Sequence, residues 1–337
     1  MNRHWGFLKR LGPCLLGLAI LGVLLYQVGW SEIARAMAAA DPILLVVALA
    51  FFIPQVIVMT WRWQLIGATA RPISFGESCR MVLAGSSLNV ILPSKLGDIC
   101  KGLMLGDTAK QGLAGGLGLA GLDKLMDILG LAAVLALAGF FAPKPETWVL
   151  LFWLATIAGL VLLVVLLHRA HLIEPLPRRR PLAALARALN AAIEVRHRRA
   201  AWASSLALSV VLWALHIGQI LVFCHAVGMT AHAATIFMRV PMAIFIGLVP
   251  VTVAGIGTRD GALLLLLSAW DPKPVIALVG LFCTLRYVVM AVLGVPAILS
   301  LGPTLMNTLR AARRRKADLD DEAAPVAQAP RSQNDPG

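Results

Sequence analysis

Long apolar runs separated by short polar stretches occupy most of the chain, and this pattern predicts membrane-spanning helices. A helical span needs about 17 to 25 mostly apolar residues. Runs close to that length occur at 11–28, 43–60, 125–141, 148–167, 202–227 and 275–301. Their spacing predicts an all-α polytopic membrane protein with about six spans.

Two other apolar stretches, 77–105 and 234–270, are interrupted at their centres. Each break combines a proline, a glycine turn and a basic-acidic cluster. The first contains Asn89, Pro93, Lys95, Gly97 and Asp98, and the second contains Pro250, Gly255, Gly257, Arg259 and Asp260. Because proline and glycine end helices, both patterns predict two short helices joined by a break. In a membrane, such a break is tolerated where protein or water covers the freed backbone groups.

Basic residues indicate the side on which each run begins, since cytoplasmic loops are enriched in lysine and arginine. The stretches 169–199 and 310–316 are strongly basic and are assigned to the cytoplasm. Counting from them, 77–121 begins and ends inside, whereas 234–270 begins and ends outside. We therefore predict two opposed re-entrant broken-helix hairpins forming an inverted pseudo-repeat, a design that transporters use. Two full spans in each hairpin region remain an alternative.

Composition supports the membrane assignment and excludes several other classes. The 337 residues are 59% hydrophobic and 14% charged, against about 25% charged in soluble domains. The net charge of +13 comes from clusters beside the apolar runs, which suits anionic lipid rather than nucleic acid. The five cysteines form no CxxC pair, nucleotide-binding motifs are absent, and we predict no metal or cofactor.

Three segments follow from these patterns. Residues 1–10 form a basic cytoplasmic lead, 11–301 form the membrane domain, and 302–337 form a basic and then acidic tail that is expected to be disordered. A retained first helix is favoured over a cleaved signal peptide. We expect a multi-pass protein of the inner (plasma) membrane with both termini in the cytoplasm.

Ionisable residues at membrane depth mark candidate sites because burying a charge there is costly. Asp123 and Asp127 lie on one helix face and need a nearby cation. Arg286 lies mid-span, where it either pairs with an aspartate or contacts substrate. The candidate substrate-binding residues are Asn89, Lys95, Asp98, Lys101, Asp123, Lys124, Asp127, Gly255, Gly257, Arg259, Asp260 and Arg286.

Other residues near the breaks have two interpretations. Gly97, Gly255 and Gly257 either bring backbone amides together around an anion or only permit tight turns and close packing. Asn89 either bonds backbone freed near Pro93 or contacts substrate.

Two polar positions outside the breaks are assigned structural roles. Arg62 lies between Trp61 and Trp63, a pattern typical of an aromatic belt and a snorkelling cation at the membrane interface. His216, in the middle of a run, is assigned a hydrogen bond to a neighbouring helix and is left out of the site.

Three short motifs carry a family resemblance over roughly residues 11–301. They consist of Asn89, Leu92, Pro93, Lys95, Gly97, Asp98 and Lys101; of Asp123, Lys124 and Asp127; and of Gly255, Gly257, Arg259 and Asp260. With these motifs in this order, the chain resembles the flippase-like membrane domain of lysylphosphatidylglycerol synthases, as a stand-alone member without the synthase domain. Lysine replaces the family's arginine at three positions and aspartate replaces glutamate at two, which alters headgroup geometry because arginine binds bidentately and lysine does not.

The resemblance implies a transporter or flippase that moves an anionic lipid or a polyprenyl-phosphate-linked group between leaflets. The alternative is a membrane-embedded transferase, or an accessory subunit, that acts on polyprenyl-linked sugars or phospholipids. A third hypothesis is a scaffold for a lipid-assembly complex. Without the synthase domain, a transporter is favoured over an enzyme. Membrane lipids are the expected partners, together with further copies of the chain or proteins of lipid biosynthesis.

Overall fold

The computed structural model describes residues 2–91, 96–105, 112–141, 146–168, 199–249, 251–303, 306–307 and 310. Pro93, Lys95 and Pro250 of the predicted breaks lie outside the described residues, as does most of the predicted tail. Regular structure in the described part is entirely helical. The helices are α1 (Asn2–Val28), α2 (Trp30–Ala38), α3 (Pro42–Ala50), α4 (Phe52–Gly67), α5 (Phe75–Ile91), α6 (Leu96–Leu105), α7 (Gly112–Phe141), α8 (Thr147–His168), α9 (Arg199–Ala226), α10 (Ala233–Leu248), α11 (Thr258–Leu267) and α12 (Lys273–Leu293), with a short 3-10 turn at Val253–Gly255.

Several of these helices have the dimensions of membrane spans, so the protein is a multi-pass membrane protein. Among the described residues, three helical segments are long and apolar enough to cross a bilayer: Pro42–Gly67, Ala200–Ala226 and Lys273–Leu293. The α1 and α2 pair, bent by 81° at Gly29, makes a fourth if it counts as one span. The predicted number of six therefore remains a prediction.

Two of the predicted apolar runs differ in detail from the helices. The run 43–60 is divided between α3 and α4 at Phe51, because the ring of Pro54 clashes with the carbonyl four residues before it. The run 275–301 is broken at Gly294, after which 295–303 is again helical. A Cβ at Gly294 would lie 2.1 Å from Ser87 Oγ of α5, so this glycine permits close helix packing.

The first interrupted stretch forms a helical hairpin in which α6 returns along α5. Gly85 and Gly97 bring the two backbones together, since a Cβ on Gly97 would lie 2.2 Å from the carbonyl oxygen of Gly85. At the break, the side-chain oxygen of Asn89 accepts the backbone N–H of Asp98 at 3.1 Å. A helix start thus receives one of its missing hydrogen bonds from the helix that precedes it.

The second interrupted stretch forms a similar hairpin from α10 and α11. The backbone turns at Gly255 (φ 74°) and Gly257 (φ 83°), conformations that glycine adopts without strain. At the far end, Arg239 Nη1 donates to the carbonyl oxygen of Leu266 at 2.8 Å, and its guanidinium lies 4.1 Å from the Trp270 ring centre. The two helices are therefore antiparallel along their length.

The helix α9 lies at the centre of the bundle, where it packs against α3, α4 and α7. Hairpin α5–α6 packs against α4, α7 and α12, and hairpin α10–α11 packs against α7 and α12. Residues such as Ile217, Ile220 and Phe223 of α9 are fully buried. This packing brings polar side chains from α4, α5, α6, α7, α9 and α12 together inside the protein.

Candidate functional site

Arg62 of α4 lies at the centre of a buried ionic network. Its Nε donates to Asp123 at 2.9 Å, and its Nη1 donates to Asp127 at 2.5 Å and to Ser209 Oγ at 2.9 Å. The side chain is only 1% exposed. The interpretation of Arg62 as an interfacial cation is therefore wrong, because its guanidinium neutralises two carboxylates on α7 instead of reaching water.

Two lysines extend the network to the first hairpin. Lys101 Nζ lies 2.6 Å from Asp123 and 3.7 Å from Asp98. Lys124 Nζ lies 3.1 Å from Asp98 and 3.4 Å from Asp127. The contact at 3.7 Å is an ion pair, and the other three are charge-assisted hydrogen bonds. They fasten α6 to α7 next to the break between α5 and α6.

Asn89 holds the carboxylate of Asp98 in place. Its Nδ2 donates to Asp98 Oδ1 at 3.0 Å, while its Oδ1 accepts the backbone N–H of Asp98. The asparagine therefore supports both the helix start and an ionic residue, which agrees with the structural interpretation. It also lines the cavity beside the network, where a bound substrate would reach it.

A cavity of about 110 Å³ lies against this network, large enough for several water molecules. Its wall combines charged side chains with apolar ones such as Leu212, Trp213 and Met290. The polar and charged side chains of the wall are Gln55, Arg62, Ser86, Asn89, Asp98, Lys101, Lys124, Asp127, His216, Arg286 and Tyr287. Six of the predicted site residues thus share one cavity: Asn89, Asp98, Lys101, Lys124, Asp127 and Arg286.

Arg286 enters this cavity without any of the aspartates that the sequence suggested as partners. Its Nη1 donates to Gln219 Oε1 at 3.0 Å, and its guanidinium lies 4.8 Å from the Tyr287 ring centre. Among the described residues, no carboxylate forms an ion pair with it. The side chain is 5% exposed, so its charge is largely removed from water, and the acceptor it meets there is a neutral amide oxygen.

Arg259 and Asp260 form a second polar cluster outside the cavity wall. Arg259 Nη2 lies 2.6 Å from Asp260 and also donates to the carbonyl oxygen of Gly280 at 3.1 Å and to Thr284 Oγ1 at 3.0 Å. The Asp260 carboxylate accepts the backbone N–H of Gly257 at 2.9 Å. This helix start is already occupied by a carboxylate of the chain.

The glycines of the second break have a packing role in this arrangement. A Cβ at Gly257 would lie 2.7 Å from the carbonyl oxygen of Gly17 on α1, and one at Gly255 would lie 2.8 Å from that of Gly247. Both positions also need a positive φ. The tight-turn interpretation therefore accounts for them, and the second hairpin contributes its end, Leu248, to the cavity wall.

Sequence reasoning missed three residues of the site: Arg62, Gln55 and Gln219. One signal for Arg62 was available, since Asp123 and Asp127 required a cation and Arg62 follows an apolar run by only two residues. No local sequence signal identified Gln55 and Gln219, because uncharged polar residues are common in helices. Among the described residues, no group of three or more histidine, cysteine or acidic side chains could hold a metal ion.

Residues 11–294 match a known family, described as the lysylphosphatidylglycerol synthase TM region. The match covers every helix from the greater part of α1 to the end of α12, together with the cavity and both polar clusters. No match to the chain is found among curated proteins.

Proposed function

Because the chain belongs to the lysylphosphatidylglycerol synthase TM region family, we propose that it binds an anionic lipid headgroup in its cavity and moves that lipid between leaflets. The family indicates a membrane protein connected with lipid modification or flipping. The proposed substrate is an anionic phospholipid or a polyprenyl-phosphate-linked group, and the proposed location is the plasma membrane.

One observation carries the proposal: a charge-lined cavity lies inside a protein whose helices are mostly apolar. Ionisable side chains at membrane depth are costly and mark substrate pathways. Lys124 and Asp127 reach the cavity with 32% and 18% of their side-chain surface exposed, so a polar group entering it would meet them. The apolar part of the wall suits the glycerol or chain portion of a lipid.

The two broken-helix hairpins support a transporter. The returning helices α6 and α11 have 10 residues each, about 15 Å at 1.5 Å per residue. The hydrocarbon core is about 30 Å thick, so neither helix, over its described residues, is long enough to cross it. We propose that both hairpins are re-entrant and that they enter from opposite faces, as in transporters that alternate access around a central site.

Cysteine labelling tests the opposed orientation. In a cysteine-free protein, Gly76→Cys and Ala269→Cys place exposed thiols near the outer ends of α5 and α11. We expect a membrane-impermeant maleimide to label Gly76→Cys only from the cytoplasmic side and Ala269→Cys only from the opposite side. Labelling of both from the same side would contradict the opposed hairpins.

Lipid transport is tested by reconstitution of the purified full chain into liposomes that contain fluorescent lipids. Dithionite quenching measures how much of each lipid reaches the outer leaflet with time. We expect faster movement of phosphatidylglycerol or a polyprenyl-phosphate lipid than in protein-free liposomes. If none of several anionic lipids moves faster, the transport proposal fails.

Lys124→Gln tests whether the cavity is the transport site. This change removes a positive charge that bonds Asp98 and Asp127, and hydrogen bonds between charged groups contribute about 1.5–3 kcal/mol. We expect transport to fall about tenfold or more. Lys273→Gln, at an exposed position at the start of α12, is the matched control and should transport at the rate of the unaltered chain. Equal transport rates in the two variants would place the transport site elsewhere.

A further inference from the structure

Arg286 gives the cavity one positive charge that no carboxylate of the described residues neutralises. From this we propose that Arg286 binds the anionic group of the ligand, and that the cavity selects a group with a single negative charge, such as a phosphodiester. This inference rests on the proposed function, whose ligand class it narrows.

The charges around the cavity can be counted from their contacts. In the part of the chain that the structure describes, three cations of the network face three carboxylates, so the network is neutral. Its members are Arg62, Lys101, Lys124, Asp98, Asp123 and Asp127. Arg259 is paired with Asp260 outside the wall. Arg286 then adds one charge to the wall, which gives the described cavity a net charge of +1.

Gln219 holds Arg286 in position without cancelling this charge. Its Nε2 donates to the carbonyl oxygen of Ala48 at 2.7 Å. With its amide nitrogen so engaged, its Oε1 accepts both Gln55 Nε2 at 3.1 Å and Arg286 Nη1 at 3.0 Å. The helix α3 ends at Ala50, just before the break at Phe51. The Ala48 carbonyl near this helix end and the Gln55 side chain together fix the orientation of the Gln219 side-chain amide.

A nearly buried cation without a counterion is unfavourable, because its lost hydration is only partly replaced by one neutral acceptor. A bound anion would offset this unfavourable free energy. One negative charge would balance Arg286, whereas a second would meet a network whose cations are already paired with Asp98, Asp123 and Asp127. A diphosphate is therefore a poorer match to this cavity than a phosphodiester.

Gln219→Glu tests the inference with an almost isosteric change. It introduces a carboxylate where Arg286 now meets a neutral oxygen, which completes an internal ion pair. If Arg286 binds the ligand's anion, the new pair removes the net charge and affinity falls. If Arg286 only ties α12 to α9, the pair strengthens that tie and leaves affinity unchanged.

The measurement is a titration of the purified full chain by native mass spectrometry with three lipids. Phosphatidylglycerol carries one phosphodiester charge, phosphatidylcholine carries the same phosphodiester with a compensating ammonium, and polyprenyl diphosphate carries more than one charge. We expect phosphatidylglycerol to bind tightest. In Gln219→Glu its affinity should fall about 30-fold or more, the scale of losing a buried charge partner. Gln27→Glu, at an exposed position near the end of α1, should bind as the unaltered chain does.

Arg286→Met and Arg286→Lys keep the test decisive if Gln219→Glu does not fold. The methionine variant removes the charge at similar length and should lose phosphatidylglycerol binding, while the lysine variant keeps the charge and should retain part of it. Undiminished binding in Gln219→Glu or Arg286→Met overturns the inference, as does tighter binding of the diphosphate. Unaltered protein that binds phosphatidylglycerol but moves no lipid leaves this assignment standing and overturns only the transport function.

Discussion

We expect Arg62→Ala to lower the free energy of unfolding by about 3–5 kcal/mol, the cost of leaving a buried charge without its partner. The guanidinium of Arg62 bonds Asp123, Asp127 and Ser209 at once. Its removal leaves two carboxylates on α7 with only the lysines for neutralisation. The thermal midpoint in detergent, read from a fluorescence or circular dichroism transition, should fall by many degrees.

Arg35→Ala is the matched control, since Arg35 also forms an ion pair but is 72% exposed. Exposed pairs contribute about 0–1 kcal/mol, so its midpoint should stay near that of the unaltered chain. Arg62→Lys should lie between the two, because a lysine retains the charge but lacks the fork that reaches both carboxylates. If Arg62→Ala and Arg35→Ala have the same thermal midpoint, the network does not stabilise the fold.

The second large effect is expected from Gly97→Ala, which should destabilise the protein by about 3 kcal/mol through overpacking. The added Cβ would lie 2.2 Å from the carbonyl oxygen of Gly85 and 2.5 Å from the backbone nitrogen of Asn89. These atoms belong to the backbone and cannot rotate away, so α5 and α6 must separate. Their separation should also loosen the contact of Asn89 with Asp98, and lipid binding should fall together with the thermal midpoint.

Gly76→Ala provides the control within the same hairpin. A Cβ at Gly76 meets nothing within 4 Å, and alanine favours a helix over glycine by up to about 1 kcal/mol. This variant should therefore keep or slightly raise the midpoint. Tolerance of Gly97→Ala, with unchanged midpoint and binding, would show that the two helices are less tightly joined than the distances indicate.

The helices of the first hairpin could be predicted closely from the sequence. The predicted stretch 77–105 contains all but the first two residues of α5 and the whole of α6, and 234–270 contains all but the first residue of α10 and the whole of α11. The family was also predicted from three short motifs, two of them at the breaks, and is confirmed by the match over 11–294. Proline, glycine and hydropathy act over a few residues, which is why local patterns were sufficient for these predictions.

Pairing among the charged residues could not be predicted in the same way. Arg286 had two interpretations, a pair with an aspartate or a contact with substrate, and among the described residues it meets Gln219, which is 67 residues away in the chain. Arg62 was assigned to the interface from its tryptophan neighbours, yet Trp61 is half exposed while Trp63 is fully buried. The two tryptophans are two residues apart and therefore lie on nearly opposite sides of the helix, and only the packing of α4 against its neighbours distinguishes the two environments.

Hydropathy, charge and break motifs by themselves determined that this protein is an apolar helical membrane protein with two interrupted helices, since burial of apolar residues and the geometry of proline and glycine are local properties. Only the tertiary structure decided which charges meet. It joined Arg62 to Asp123 and Asp127, closed Arg259 onto Asp260, and left Arg286 facing the cavity with neutral Gln219. The energy of a charge inside a protein depends on partners brought from distant parts of the chain, and the fold alone sets those distances.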